Sequence, residues 1–230
     1  MTAPWWEGPL VGLDTETTGT DVETARIVTA CVVLDEPGRE PRSWTWLVNP
    51  GAPIPAEATA VHGVTDEMAA EGLTPGLAVA QIALTLAGFD LPLVAFNGAY
   101  DFTVMDREAR RHGLDPFEPF PVVDPYVLDK QAEPYRRGKR TLSVTCEHYG
   151  IPLGEDAHDA AADALAAVRL GPVRSGGASP TRRRTRRSST RGRSSGASSS
   201  RTTFATTSGP SGSPRTTWTE PGLCGRCRWG

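Results

Sequence analysis

The sequence has no run of about 18 consecutive apolar residues, which excludes a transmembrane helix. Its opening segment, Met1 to Leu10, carries the acidic Glu7 and lacks a basic n-region and an apolar h-region, so no signal peptide is expected. Cysteine is sparse. Of Cys31, Cys146, Cys224 and Cys227, the first two fall in apolar patterns and read as small core residues, a usage that fits a reduced, cytoplasmic protein. Positive charge is scarce over most of the chain. Residues 171–230 hold 12 Arg, no Lys and one acid, Glu220; taken from totals of 24 basic and 27 acidic residues, this leaves 12 basic and 26 acidic in residues 1–170. The body is therefore near −14 and the last segment near +11. So acidic a body does not hold nucleic acid by bulk charge, and any such binding is local or metal-mediated.

After Leu170 the sequence also lacks Ile, Lys, Asp, Tyr, Met, His, Asn and Gln. Ser, Thr, Arg, Gly and Pro dominate, and such a composition cannot bury enough apolar area to offset the cost of ordering. The expected organisation is a folded domain over 1–170 followed by a disordered tail over 171–230. The abrupt change, with Arg but no Lys, matches the out-of-frame product of a GC-rich gene; a cationic arm on nucleic acid and a low-complexity tail of no function are the competing readings. Cys224-Gly225-Arg226-Cys227 is a Cys-x-x-Cys, but the tail has no His and no further Cys to complete a zinc site.

Hydropathy patterning predicts strands at Leu10–Glu16, Arg26–Leu34, Ser43–Val48, Leu91–Phe96 and Val122–Val123. The first three, linked by short turns, suggest an antiparallel meander; the later strands, reached through helices, become parallel to the first. Thr65 and Asp66 can cap a short helix. Thr74-Pro75 opens a longer one ending near Gly88, with apolar residues spread round it and so expected to be well covered. Further helices are predicted over Asp101–His112, from Asp124-Pro125 to Gln131, over Thr141–Tyr149 and over the Ala-rich Asp159–Leu170. Together these define an α/β fold, a mixed five-stranded sheet with helices on both faces.

Within this frame the acids fall into a pattern. Asp14 and Glu16 are spaced i, i+2 at a strand end, so their carboxylates share one face and repel unless a cation lies between them. Asp101 enters a helix just after the fourth strand. Asp163 lies about one turn into the last helix, and His158 lies in the loop before it. Ala160, Ala161, Ala164 and Ala167 let that helix approach the sheet closely. Each residue alone is compatible with a bland role as helix or loop polarity. Together, four converging carboxylates call for divalent cations, and two such ions form a clamp suited to phosphoryl chemistry. His158 has the pKa range of a general base near neutrality.

These residues resemble the motifs of the DEDDh 3′–5′ exonucleases, the superfamily of the proofreading epsilon subunit of bacterial replicative DNA polymerase, which has a ribonuclease H-like fold. Asp14-Thr15-Glu16-Thr17-Thr18-Gly19 is similar to the first motif. Asn97-Gly98-Ala99-Tyr100-Asp101 is similar to the second, usually His-Asn-Ala-x-Phe-Asp. His158-Asp159-Ala160-Ala161-Ala162-Asp163 is similar to the third, and His62-Gly63-Val64-Thr65-Asp66-Glu67 to a segment beside the substrate. Phe96 stands where many relatives carry His, and Tyr100 where Phe is commoner. The resemblance implies Asp14, Glu16, Asp101 and Asp163 as ligands of two Mg²⁺ or Mn²⁺ ions, with His158 as the base. It implies Thr17, Glu57, His62 and Asn97 as contacts to the terminal nucleotide. The implied substrate is a nucleic acid with a free 3′ end, single-stranded DNA before RNA, and a DNA polymerase is an implied partner. The competing functions are an RNA-trimming exoribonuclease and a non-catalytic nucleic-acid-binding or polymerase accessory subunit. Arg136, Arg137, Lys139 and Arg140 form the body's one basic loop, a candidate for phosphate contact.

Overall fold

The computed structural model describes residues 4–119, 121–153 and 160–172. The strands are β1 (Leu10–Thr17), β2 (Ile27–Asp35), β3 (Arg42–Leu47), β4 (Leu93–Val94) and β5 (Val122–Val123). The helices are α1 (Ala56–His62), α2 (Asp66–Ala69), α3 (Pro75–Ala87), α4 (Ala99–Arg111), α5 (Pro125–Ala132), α6 (Leu142–Tyr149) and α7 (Ala160–Pro172). The sheet order is β3-β2-β1-β4-β5. Strands β1, β2 and β3 are antiparallel neighbours, and β4 pairs parallel with both β1 and β5. This is the mixed five-stranded sheet expected from the sequence.

The central strand explains the arrangement. In β1, Leu10, Val11 and Leu13 are buried, and β2 is buried along nearly its whole length. Strands covered on both faces read as continuous apolar runs. The fourth strand is shorter than its apolar run suggests. Pro92 has no amide to donate, although its carbonyl still accepts from Val11, and Ala95 N still donates to Val123. Strand-like bonding thus flanks a paired core of Leu93 and Val94.

Capping follows the local sequence. Thr65 accepts from Met68 N at the start of α2, Asp124 from Tyr126 N at α5 and Thr141 from Val144 N at α6. The expected full coverage of α3 is not found. Ala78, Val79 and Ile82 face the sheet, but Leu77 is 49% and Leu84 74% exposed. Only the stripe packed on β2 and α4 is covered, and apolar residues on the far side of α3 reach solvent.

Helix α7 lies against β1 and β2. Ala160, Ala164 and Ala167 are buried at the contact, as the small-residue pattern predicts. The strand meets them with Gly12, where a Cβ would sit 2.8 Å from the Ala164 carbonyl oxygen and 2.7 Å from Val168 Cγ2. Backbone cannot yield as a side chain can, so α7 would have to shift. Gly12→Ala is expected to destabilise the fold by about 1–3 kcal/mol; thermal denaturation checks this, and an unchanged Tm would contradict the tight contact.

Candidate active site

The first two acids project from the C-terminal half of β1, with Glu16 one residue before the strand's last. Asp14 pairs with Cys31 and Glu16 with Thr29, and the register shifts between Glu16 and Thr17. Alternation along the strand puts both carboxylates on one face. Asp163 comes from the first turn of α7, on the helix that Gly12 lets down onto the sheet. Asp14, Glu16 and Asp163 each bring a carboxylate oxygen within 4.8 Å of the other two, and all three side chains are partly accessible. Three anionic oxygens so placed are a hard donor set, suited to Mg²⁺ or Mn²⁺ rather than to a soft metal.

Asp101 stands outside that trio. It is 5% exposed, and its Oδ1 accepts from the Thr15 amide at 3.1 Å and the Thr15 hydroxyl at 2.7 Å. Burial pushes its carboxyl up to about 6, with the Thr15 hydrogen bonds pulling the other way. Thr15 alternates with Asp14 and Glu16, so Asp101 braces β1 from the Thr15 side. The structure therefore brings together three of the four expected acids and ties the fourth to the strand between two of them. His158 and Asp159 lie outside the described residues.

The turn after β1 is held from two helices. Thr17 Oγ1 lies 2.8 Å from the Gly19 carbonyl and 2.6 Å from Tyr100 Oη, which also hydrogen-bonds that carbonyl. On the other side is His62, the last residue of α1. Its Nδ1 accepts from Val64 N at 3.1 Å, which leaves the neutral ring's proton on Nε2. That Nε2 is buried without a hydrogen-bond partner among the described residues. Burial lowers the ring's pKa, opposed by the nearby Thr17 backbone. Glu57 is exposed in the first turn of the same helix.

Asn97 is exposed and adopts the left-handed conformation, φ 60°, that Asn tolerates better than most residues. The turn it makes is pinned by Asp124, whose Oδ1 accepts from Asn97 N at 2.9 Å and whose Oδ2 accepts from Gly98 N at 3.2 Å. Asp124 therefore serves both α5, which it caps, and the turn into α4. Its signal was an Asp-Pro directly after a parallel strand beside the second motif.

The basic loop behaves differently from the expectation. Arg136 reaches the fully buried Asp129 at 2.8 Å, and Arg140 also pairs with it. The Arg136 and Arg140 side chains are 8% and 12% exposed, so they hold the loop and do not face phosphate. An unpaired carboxylate at Asp129 would be too costly to bury, which is why the arginines turn inward. Arg137 and Lys139 remain exposed.

A ribonuclease H-like sheet carrying a cluster of carboxylates on its central strand defines a nuclease-type site. Sequence comparison agrees: the exonuclease family model RNase_T matches residues 11–170, and the chain belongs to that family. It is 37% identical over 111 residues to an uncharacterised exonuclease of Escherichia phage 186, covering 48% of this chain and 54% of the phage protein. It is 32% identical over 168 residues to a DNA polymerase III subunit epsilon-like protein of Rhodobacter capsulatus, covering 68% of this chain and 22% of that one. Among solved structures, exonuclease I of Methylocaldum szegediense matches with a TM-score of 0.60 and 22% identity, over 74% of this chain and 41% of that chain. Escherichia coli exonuclease I in complex with a dA16 oligonucleotide matches with a TM-score of 0.60 and 19% identity, over 73% and 41%. The chain thus spans about half the length of the phage relative and a smaller share of the others.

Proposed function

We propose that the protein is a divalent-metal-dependent 3′–5′ exonuclease that releases nucleoside 5′-monophosphates from single-stranded DNA. The observation that carries this reading is the approach of Asp14, Glu16 and Asp163 to within 4.8 Å of one another on the central strand and the helix packed over it. With Asp101 they would hold two Mg²⁺ or Mn²⁺ ions. Bound there, the ions supply an activated water and neutralise charge on the leaving 3′-oxygen. Through the hydrogen bonds it accepts from the Thr15 amide and hydroxyl, Asp101 also steadies β1 between the two strand carboxylates. His158, from the third motif, takes the proton of the attacking water. Thr17, Glu57, His62 and Asn97 orient the terminal nucleotide. DNA is favoured over RNA because the solved neighbour carries a deoxyoligonucleotide and one sequence relative is epsilon-like. The latter also makes a DNA polymerase the partner to test.

The test uses 5′-labelled single-stranded DNA and RNA with Mg²⁺ or Mn²⁺. The expected result is a ladder shortening from the 3′ end, nucleoside 5′-monophosphates as product, faster loss of DNA, and no reaction in excess chelator. Full activity in chelator, or internal cuts as the first products, would overturn the proposal. Faster loss of RNA would reassign the substrate.

A further inference from the structure

We infer that Tyr100 is a positioning residue that frees the Thr17 hydroxyl proton for the substrate by satisfying the Gly19 carbonyl in its place. The inference rests on the proposed placement of Thr17 against the terminal nucleotide. Its basis is a proton count. Thr17 Oγ1, Tyr100 Oη and the Gly19 carbonyl oxygen are mutually within hydrogen-bond distance. Two hydroxyls supply two protons, and a carbonyl only accepts. Three contacts therefore share two protons, so the carbonyl is satisfied by one hydroxyl while the other proton can be directed elsewhere.

Tyr100 is the better permanent donor. It sits in the first turn of α4, and its ring packs against the main core. A phenol keeps its proton through the neutral range. Thr17, by contrast, lies where β1 runs out into its turn and can rotate about a single bond. With Tyr100 donating to Gly19, Thr17 can give its proton to a ligand oxygen and still accept nothing it needs. With Phe at position 100, the same motion would strip the Gly19 carbonyl of its side-chain donor. Every hydrogen bond Thr17 made to the substrate would then cost one inside the protein. The Tyr hydroxyl removes that competition without touching the reacting atoms.

Four forms test this: wild type, Tyr100→Phe, Thr17→Val and the double variant. A fifth, Thr17→Ser, restores the hydroxyl. The readouts are Tm, steady-state kcat and KM on single-stranded DNA, and equilibrium binding of a fluorescein-labelled single-stranded oligonucleotide in Ca²⁺. Tyr100→Phe is expected to raise KM and Kd about fivefold, the equivalent of one ordinary hydrogen bond, with kcat little changed. Thr17→Val is expected to weaken binding at least as much, and the double variant no further than Thr17→Val alone. Thr17→Ser is expected to bind like wild type. If Thr17→Val weakens binding but Tyr100→Phe does not, the inference about Tyr100 fails alone. If the two losses add, Tyr100 acts independently of Thr17 and the inference also fails. If neither variant changes binding, the placement of Thr17 itself is wrong. A purely structural role would show as a fall in Tm without the coupled change in KM.

Discussion

Asp14→Asn is expected to lower exonuclease turnover by more than about 100-fold, since even residues that only support metal ligands cost 10- to 100-fold. Asp14 is the best placed of the three acids to show this. It lies in mid-strand, paired with Cys31, and its neighbours Leu13 and Thr15 are buried, so the amide keeps the backbone where it is. The change removes one negative charge from a group of three that share a 4.8 Å space. Without added metal, the variant should therefore unfold at the same temperature as the wild type or higher. With Mg²⁺ the order reverses. A cation that binds only the folded state raises Tm in proportion to its occupancy, and the wild type gains more. Parallel melting curves with and without Mg²⁺ check the binding role separately from turnover. Undiminished turnover in Asp14→Asn would rule out the acidic cluster as the reaction centre.

Glu108→Gln should produce the largest loss of stability, about 3 kcal/mol. Glu108 is on the inner face of α4 and is fully buried. Arg26 binds both of its oxygens, with Nη2 at 2.7 Å; Arg111 pairs at 2.9 Å and His112 at 3.0 Å. Removing one partner of a buried ion pair typically costs about 3–5 kcal/mol, because the other charge is left behind. The lower end applies here, since the Arg26 and Arg111 side chains keep 23% and 27% of their exposure and can still meet water. For a domain of this size the loss corresponds to roughly 6–12 °C in Tm.

The pH dependence follows from the direction of the shift. Burial alone would raise the Glu108 carboxyl, but Arg26, His112 and Arg111 outweigh it and hold the pKa below the usual 4.5. A lowered folded value means the stabilisation is complete above pH 4.5 and fades as pH falls through the folded pKa. The wild type should lose stability over that acid range more steeply than Glu108→Gln. Denaturant titrations at several acid pH values measure both slopes; parallel curves would remove Glu108 from the account. The cluster also bears on the site. Arg26 N donates to Thr18 Oγ1, and Thr18 N donates to the Arg26 carbonyl, so the buried pair ties the turn after Thr17 to α4.

Much of this is legible in the sequence alone. The strands β1, β2, β3 and β5 follow hydropathy, and the cap at Thr65 follows from residue type, whereas Thr74 before Pro75 makes no side-chain cap bond. Asp14 and Glu16 could be put on one face from strand period alone, and the alanines of α7 foretold its close approach. What could not be read is where a side chain turns when two partners compete for it. Nothing in the loop around Gly138 says that Arg136 and Arg140 point inward, because Asp129 looks like any helix acid until its burial is known. Nothing near Asp101 says that Thr15 claims one of its oxygens. Glu108 carried a faint signal, lying three and four residues from Met105 and Val104 on the apolar face of α4. An acid on such a face implies basic partners, but its sequence does not say that one of them is Arg26, 82 residues away. Leu77 and Leu84 erred the other way, since an apolar residue does not guarantee a covering layer.

The packing of α7 onto Gly12 has a further consequence, in time rather than in space. Asp163 follows Asp14 by 149 residues. Ribosomes add about 5–20 residues per second, so the strand carboxylates exist for roughly 7–30 s before the helix carboxylate is made. During that interval β1 can pair with β2, but its Gly12 face has no α7 to cover it. A growing chain is thus unable to assemble its acidic trio until α7 has been made and docks on the sheet.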